Sequence, residues 1–213
     1  MKKFVKVALA AVMAVSVLGV SSTSVMAKKS NKEVITVGIS PDYKPYESLN
    51  KKNKMVGFDI DMVKWFGKYL SKEEGKKVTF QFKQMDFDNI VTQLQGDQVD
   101  LGISGFTYSE DRKVEWSEPY LGSSQVAVVP NGSDITSVDQ LEGKSLVAQT
   151  GATGEKAAKD VKDAQVTGLK NVQDIMNALS ANQYDAAVVD SGVAKQYAQS
   201  GQFTTLDGSL LDE

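Results

Sequence analysis

The feature of this sequence that most constrains its fold is the alternation of strand-like and helix-like segments along the chain. In the first half, β-rich runs predict strands at 34–39, 78–82 and 99–103, and apolar residues at helical spacing predict helices at 59–70 and 87–94. Asp59 is expected as the N-cap of the first helix, and Gly96 is expected to end the second. Strands that alternate with helices predict βαβ units and a largely parallel sheet, so the expected fold class is α/β.

The same pattern returns in the second half, with strands predicted at 145–148, 165–167 and 186–189 and helices at 153–162 and 172–179. The halves align at an offset of 85 residues, which places Ile90 on Ile175, Leu94 on Leu179, Asp100 on Asp185 and Ile103 on Val188. This is either a weak internal repeat or the similarity that any two amphipathic βα units share. A repeat would give two lobes whose strand ends surround one cleft, the place where open α/β sheets bind ligands.

The composition excludes several kinds of chemistry. The sequence has no Cys and no His, which excludes disulfides, thiol catalysis, Ser-His-Asp triads and thiolate zinc sites. Hydrophobic residues make up 41% and charged residues 24% of the 213 residues, which is enough to bury a core and argues against a disordered chain. An enzyme would have to work with carboxylates, Lys, Tyr, Ser or a hard metal.

The N-terminus has the order of a secretory signal peptide, with three lysines among the first six residues, an uncharged run at 7–20 and small residues up to Ala27. That run is shorter than the roughly 20 residues of a transmembrane helix. Cleavage after Ala27 would make the chain more acidic than its net charge of −3, which argues against a nucleic-acid partner and anionic lipid. Val20 stands where a bacterial lipoprotein has its Cys, so no lipid anchor is expected.

The end of the predicted strand at 99–103 carries candidate ligand-binding groups. It continues as Ser104-Gly105-Phe106-Thr107 and reaches Arg112 a few residues later. Backbone N–H groups, hydroxyls and a planar guanidinium suit a carboxylate ligand. The alternative is a solvated turn in which Arg112 pairs with Glu110.

A second candidate is the turn Thr150-Gly151-Ala152-Thr153-Gly154, which lies between a predicted strand and a helix. Backbone N–H groups at such a turn can bind an anion. The segment lacks the phosphate-loop and dinucleotide-binding fingerprints, so nucleotide binding is disfavoured. The alternative is a plain turn that needs glycine for its backbone geometry.

A third candidate is Asp190, which follows the apolar run 186–189 and could bind a ligand ammonium. The alternative is that Asp190 only caps the helix that begins at Ser191. Tyr43 and Phe87 could form apolar walls of a pocket, although Phe87 could equally belong to the core. The pairs Asp59 with Asp61 and Asp86 with Asp88 lie at helix starts and lack a calcium-loop pattern, so they are interpreted as caps and not metal ligands.

Several segments in order resemble one known family over nearly the whole mature chain. They are Gly57-Phe58-Asp59-Ile60-Asp61, Asp86-Phe87-Asp88, Val99-Asp100-Leu101, Ser104-Gly105-Phe106-Thr107 with Arg112, Ser117-Glu118-Pro119-Tyr120, Leu141-Glu142-Gly143-Lys144, Thr150-Gly151, and Tyr184-Asp185-Ala186 with Asp190. The chain resembles the extracytoplasmic solute-binding proteins of polar amino-acid ABC importers. That family implies a two-lobed, type II periplasmic-binding-protein-like fold, here with lobes at 28–120 and 126–213 and a hinge at 121–125.

The resemblance also implies the roles of individual residues. Arg112 would bind the α-carboxylate of the ligand, and Asp190 its α-ammonium. Further hydrogen bonds would come from Ser104, the backbone of Gly105, Thr107 and Thr153, with Tyr43 and Phe87 flanking the ligand side chain. Ser40 lies where a carboxylate could meet a cationic ligand, which mildly disfavours Lys or Arg and leaves neutral polar ligands such as glutamine open.

The chain departs from the family in three places. The spacer from Arg112 to Trp116 is shorter than usual, and Ala152 replaces a frequent Thr or Ser. The chain also stops at Glu213, whereas the family continues for roughly 40 residues that complete the first lobe, a large share of a lobe of this size. Part of the first lobe is therefore expected to be missing.

The predicted function is that of a secreted or periplasmic, monomeric binding protein that captures a polar amino acid between two closing lobes and delivers it to the permease of an ABC importer. No enzymatic activity, cofactor or metal is predicted. One alternative is a dehydratase-like enzyme of the same fold, which would need an acid or base in the cleft. Another is a truncated fragment that no longer binds.

Overall fold

Two main β-sheets organise the protein in the computed structural model, which describes residues 32–212. The predicted signal peptide at 1–27 lies outside the described residues. The described residues 32–212 belong to one compact unit. Among residues 32–212, no helix combines the length and the apolar character needed to cross a membrane.

Between residues 32 and 120, the first lobe contains six strands and two helices. They are β1 (Lys32–Ile39), β2 (Asp42–Tyr43), β3 (Glu47–Leu49), β4 (Met55–Val56), α1 (Phe58–Glu73), β5 (Lys77–Gln84), α2 (Phe87–Gln95) and β6 (Leu101–Gly102). Strands β5, β1 and β6 form a parallel sheet in that order. The short strands β2, β3 and β4 form a separate antiparallel sheet. The side chains of Val37, Ile60, Val63 and Ile90 are almost fully buried, so the helices cover the parallel sheet with their apolar faces.

Up to residue 212, where the description ends, the second lobe contains six strands, three α-helices and a short 3-10 helix. They are β7 (Ser124–Pro130), the 3-10 helix (Val138–Leu141), β8 (Ser145–Gln149), α3 (Thr153–Lys159), β9 (Gln165–Leu169), α4 (Val172–Ser180), β10 (Ala186–Asp190), α5 (Ser191–Ala198), β11 (Phe203–Thr205) and β12 (Leu211–Asp212). The sheet order is β11-β7-β10-β8-β9, with β12 also paired to β7. Strands β10, β8 and β9 are parallel, whereas β7 runs antiparallel to β10, β11 and β12.

Strand β10 shows why the second sheet is buried on both faces. Ala187 and Val189 face the core that contains α4 and α5, whereas Ala186 and Val188 face the core that contains α3 and the 3-10 helix. A strand that is covered on both sides needs apolar residues throughout, which explains the unbroken Ala-Ala-Val-Val run.

Two sequence predictions about elements are wrong. Asp59 is not the N-cap of α1, because the helix begins at Phe58 and Gly57 occupies the cap position. The steric reason is that Gly57 has φ of 132° and that a side chain there would overlap the Tyr46 carbonyl. The strand predicted at 99–103 is confined to Leu101–Gly102. The second sheet already begins at Ser124, within the segment 121–125 that was predicted as the hinge; the lobe boundaries themselves stay a prediction.

Candidate ligand-binding site

A small cavity lies between the two lobes. Its lining comes from both lobes and consists of Tyr43, Phe87, Gly105, Thr107, Gln125, Gln149, Ala152, Thr153 and Asp190. The cavity volume is about 10 Å³, which is room for one water molecule at most. The lining includes six of the eight predicted site residues, all except Arg112 and Ser104.

Asp190 lies at the end of β10, where the parallel sheet presents its carboxyl edge to the other lobe. It occupies the N-cap position of α5, yet its side chain makes no capping hydrogen bond. The carboxylate instead accepts hydrogen bonds from Tyr43 Oη, from Gln125 Nε2 at 2.8 Å and from Ser123 Oγ at 3.1 Å. Asp190 is only 7% exposed. The geometry therefore favours an acceptor directed at the cleft over a helix cap.

Tyr43 reaches Asp190 from the first lobe. Burial raises the pKa of the Tyr43 phenol well above its usual value, and the negative charge of Asp190 raises it further. The phenol therefore stays protonated and donates to the carboxylate. A ligand ammonium that binds Asp190 would have to share or replace this donor.

Arg112 borders the cavity without lining it. Its Nη1 donates to the Thr107 carbonyl at 2.6 Å, and its Nη2 donates to the Gly151 carbonyl of the second lobe at 3.0 Å. The guanidinium carbon lies 5.7 Å from the ring centre of Phe87 and 5.2 Å from that of Phe106, within cation–π range. Arg112 is also the only arginine in the sequence. The one planar, permanently charged fork of the protein thus lies beside the cavity.

Ser104 and Gly105 are held by contacts inside the first lobe. The Ser104 hydroxyl donates to Glu47 Oε1 at 2.8 Å and accepts from the Ser40 N–H at 3.1 Å. Gly105 has φ of 52°, and a Cβ there would lie 3.0 Å from the Tyr43 ring. The Gly105 N–H donates to the Asp59 carboxylate. Only Gly105 of these two lines the cavity, whereas Ser104 lies behind it in the first lobe.

One backbone N–H group of the turn before α3 already donates a hydrogen bond to a side chain of that helix. The Gly151 N–H donates to Glu155 Oε2 at 2.8 Å. Thr153, the first residue of α3, lines the cavity together with Ala152. Gly151 is therefore a turn glycine, with φ of 77°, and Thr153 brings a hydroxyl group from this segment to the cavity lining.

Two glutamines of the cavity were not predicted from the sequence. Gln149 ends β8 directly after an apolar run, so the rule that found Asp190 at the end of β10 would also have found Gln149. Gln125 lies at the start of β7, opposite Asp190 in the antiparallel register. The amino end of an antiparallel strand lies beside the carboxyl ends of its neighbours, and this pairing had no signal in the sequence.

The comparisons with known proteins agree with this architecture. The sequence model described as bacterial extracellular solute-binding proteins, family 3, matches residues 35–187. The chain belongs to this family. Like other family 3 proteins, it has the two-lobed α/β fold, and the family consists of extracellular proteins that bind solutes.

Individual relatives of this family 3 protein show how far the likeness extends. It is 30% identical to the arginine-binding extracellular protein ArtP of Bacillus subtilis over 94% of this chain and 77% of that protein. It is 28% identical to a probable histidine-binding protein of Neisseria gonorrhoeae over its full length and 80% of that protein. A crystal structure of the substrate-binding protein of an amino-acid ABC transporter superposes with a TM-score of 0.77 at 34% identity, covering 85% of this chain and 82% of the other.

Proposed function

We propose that this protein captures a polar amino acid in the cleft between its lobes and delivers it to the permease of an ABC importer. The proposal rests on one observation, the pairing of opposite charges at the cavity. The buried carboxylate of Asp190 lines the cavity, and Arg112, the only arginine of the sequence, lies at its border. An α-amino acid carries an ammonium and a carboxylate on one carbon, so a paired anionic and cationic site suits it. The similarity to arginine- and histidine-binding proteins supports the same ligand class.

The role of each predicted residue follows from this arrangement. Asp190 would receive the ligand ammonium, and Arg112 would exchange a backbone carbonyl for the ligand carboxylate. Thr107 and Thr153 would add hydroxyl donors, and Tyr43 and Phe87 would flank the side chain. Gln125 and Gln149 add neutral amides to the lining, which suits a ligand with a polar side chain.

Binding requires the lobes to move. The cavity of about 10 Å³ is too small for any amino acid, so the ligand must enter an open form. Contacts from both lobes would then favour the closed form when the ligand is present. We place this cycle outside the cytoplasm, after cleavage near Ala27 and without a lipid anchor, with the protein as a monomer.

Binding without catalysis is the preferred function. Among the residues that line the cavity, Asp190 is the only carboxylate, and three neutral donors already stabilise its charged form. A dehydratase of this fold would need a group that exchanges a proton with the substrate. A stabilised carboxylate suits an ammonium partner better than that task.

A thermal-shift screen of the protein without residues 1–27 against the twenty amino acids tests the proposal. A ligand at 100 times its Kd stabilises the folded state by about 2.7 kcal/mol, which raises the Tm of a protein of this size by roughly 5–10 °C. Arg112→Ala and Asp190→Ala should abolish the shift. Lys64→Ala and Asp61→Ala, which remove an exposed ion pair on α1, should keep it. A cooperative melt that no amino acid moves would overturn the proposal.

A further inference from the structure

Asp42 is a first-lobe residue that does not line the cavity. Its carboxylate nevertheless contacts the second lobe. It lies on β2, and its Oδ1 accepts a hydrogen bond from Ser40 Oγ at 2.8 Å. Its Oδ2 accepts from the Val172 N–H at 2.7 Å and from Gln149 Nε2 at 3.3 Å. One lobe therefore holds the carboxylate in place while the other lobe supplies two donors to it.

The contact with Val172 completes the first turn of α4. Val172 is the first residue of this helix, and the preceding Asn171 caps the Gln173 N–H with its own side chain at 2.8 Å. Asn171 thus leaves the Val172 N–H to Asp42. A negative charge at this end of a helix is favourable because the helix dipole is positive there. In the closed form, a side chain of one lobe caps a helix of the other.

The contact with Gln149 links Asp42 to the ligand cavity. Gln149 lines the cavity, and its Nε2 also donates to the Lys170 carbonyl at 2.9 Å. Tyr43, the neighbour of Asp42 on β2, contacts Asp190 on the opposite side. The two residues of this short strand therefore engage the second lobe at two points, one inside the cavity and one beside it.

We propose that Asp42 is a closure latch: a positioning residue that stabilises the closed form by capping α4 and holding Gln149, without contacting the ligand. When the lobes open, the Asp42 carboxylate and the Val172 N–H both return to water. The cavity of this form is too small for an amino acid, so the latch acts on affinity through the closed form that holds the ligand, where the same contacts of Asp42 add to the stability of the complex. Asp42 thereby sets the affinity of the protein through its conformational equilibrium.

The exposed ion pair between Lys170 and Asp86 offers a matched control. It also joins the two lobes, at 3.0 Å, but its side chains are 58% and 50% exposed. Exposed pairs contribute little because water and salt screen them. The latch proposal therefore predicts a large effect at Asp42 and a small one at Lys170, although both bridge the same gap.

The test measures lobe closure directly and ligand affinity separately. The chain has no Cys, so Lys68→Cys on α1 and Asp160→Cys after α3 give one dye per lobe for single-molecule energy transfer. The closed fraction is recorded with and without the amino acid found in the screen, and Kd is measured by calorimetry. Asp42→Ala should lower the closed fraction and weaken binding by about 10- to 100-fold, the range of a hydrogen bond to a charged group. Lys170→Ala should change Kd by less than about threefold.

Asp42→Asn keeps the shape of the side chain and one acceptor oxygen but removes the charge. Its closed fraction and Kd should therefore lie between those of Asp42→Ala and the wild type. If Asp42→Ala does not fold, Asp42→Asn replaces it in the experiment. The latch is overturned if Asp42→Ala closes as often as the wild type, or if the wild type never closes. A loss of affinity without a loss of closure would also overturn it, because Asp42 would then contact the ligand. The Kd measurement rests on the proposed function. If no amino acid binds, the proposed function is wrong, and the closed fraction measured by energy transfer alone shows whether Asp42 stabilises the closed form.

Discussion

Glu47 is fully buried at the start of β3, and its carboxyl group lies against that of Asp59. Its Oε1 accepts from Ser104 Oγ, whereas no donor among the described residues reaches Oε2. Burial raises the pKa of Glu47 well above its usual value, the charge of Asp59 raises it further, and the Ser104 hydroxyl opposes both. Burial also raises the pKa of Asp59, whereas hydrogen bonds with Glu47, with Tyr120 Oη at 3.2 Å and with the Gly105 N–H favour its charged form. We therefore expect Glu47 to be protonated and to donate from Oε2 to Asp59.

The raised pKa of Glu47 makes the folded protein less stable as the pH rises. A carboxyl group whose pKa is raised by folding contributes stability that is complete below its ordinary pKa, near 4.5 for Glu47, and that is lost as the pH rises through the folded-state pKa. Glu47→Gln places a permanent donor at the same position. We expect the free energy of unfolding, measured in urea, to fall for the wild type as the pH rises above about 5 and to fall less for Glu47→Gln.

Glu47→Ala is the contrasting variant. It removes the partner of Ser104 and Asp59 and leaves a cavity, so we expect a loss of about 2–3 kcal/mol at neutral pH. If Glu47→Gln and Glu47→Ala lower the free energy of unfolding equally, Glu47 is charged in the folded protein. That result would contradict the hydrogen bond expected from Glu47 to Asp59.

At the residue scale, the sequence could name polar groups but not their partners. Asp190 was open to two interpretations, and only its contacts with Tyr43 and Gln125 decide against the cap. Arg112 was predicted beside the cleft, yet its two bonds to backbone carbonyls depend on where the turn at Gly151 falls. Such contacts join residues far apart in the sequence, and no local pattern encodes them.

At the element scale, the offset of 85 residues corresponds to the same local structure in both lobes. The residues that follow the last turns of α2 and α4, Asp97 and Asn182, have φ of 54° and 53°. Asp100 Oδ2 accepts from the Thr36 N–H at 2.7 Å, and Asp185 Oδ2 accepts from the Ser145 N–H at 2.8 Å. Both carboxylates also accept from the hydroxyl of the same partner. These shared bonds favour a structural repeat over chance similarity, which the apolar pattern alone could not decide.

The repeated carboxylates give a paired prediction. Hydrogen bonds from Thr36 and Ser145 lower the pKa of Asp100 and Asp185 respectively. Their contribution to stability is therefore present above the ordinary pKa near 3.8 and lost as the pH falls through the folded-state pKa. Asp100→Ala and Asp185→Ala should each cost about 1 kcal/mol at pH 7, reduced by exposure, and lower the Tm by roughly 2–4 °C.

Calorimetric melts at about pH 7 and about pH 2 would check this prediction. The effects of the two substitutions should add, because Asp100 and Asp185 belong to different lobes and bind different partners, Thr36 and Ser145. Asp97→Asn is the control, since Asn tolerates the left-handed backbone and should leave the Tm unchanged. Losses that persist unchanged in acid would contradict the role assigned to the charged carboxylates.

At the scale of the whole molecule, the parallel part of each sheet could be predicted, whereas the antiparallel part could not. Strands β1, β5, β8, β9 and β10 all fall where strand-like runs alternate with helical stripes. No helix directly precedes strand β7, which follows β6 through the connection at 103–123. Its buried run 126–129 has no periodicity that separates it from a linker or a buried helix. The way the lobes meet was equally hidden, because it depends on close backbone approach at a few glycines.

Gly192 is the clearest of these glycines. It is the second residue of α5 in the second lobe, and a Cβ there would overlap the hydroxyl of Tyr46, which belongs to the loop between β2 and β3 in the first lobe. Gly154 provides a comparison on α3, because a Cβ there would lie 2.6 Å from Gln125 Oε1 and 3.1 Å from the Val188 carbonyl, both within the second lobe. One glycine therefore serves closure between lobes and the other serves packing within a lobe.

Gly192→Ala should separate folding from closure. Alanine favours the helix by about 1 kcal/mol, so we expect the Tm to stay equal or rise, while the obstructed contact with Tyr46 weakens amino-acid binding by roughly tenfold or more through the population of the closed form. Gly154→Ala should instead lower the Tm, since the carbonyl of Val188 cannot move away. Calorimetric melts and binding titrations of both variants would check the contrast. Removing the obstruction with Tyr46→Ala should cancel the effect of Gly192→Ala; if Gly192→Ala weakens binding equally with and without Tyr46, closure is limited by a different contact.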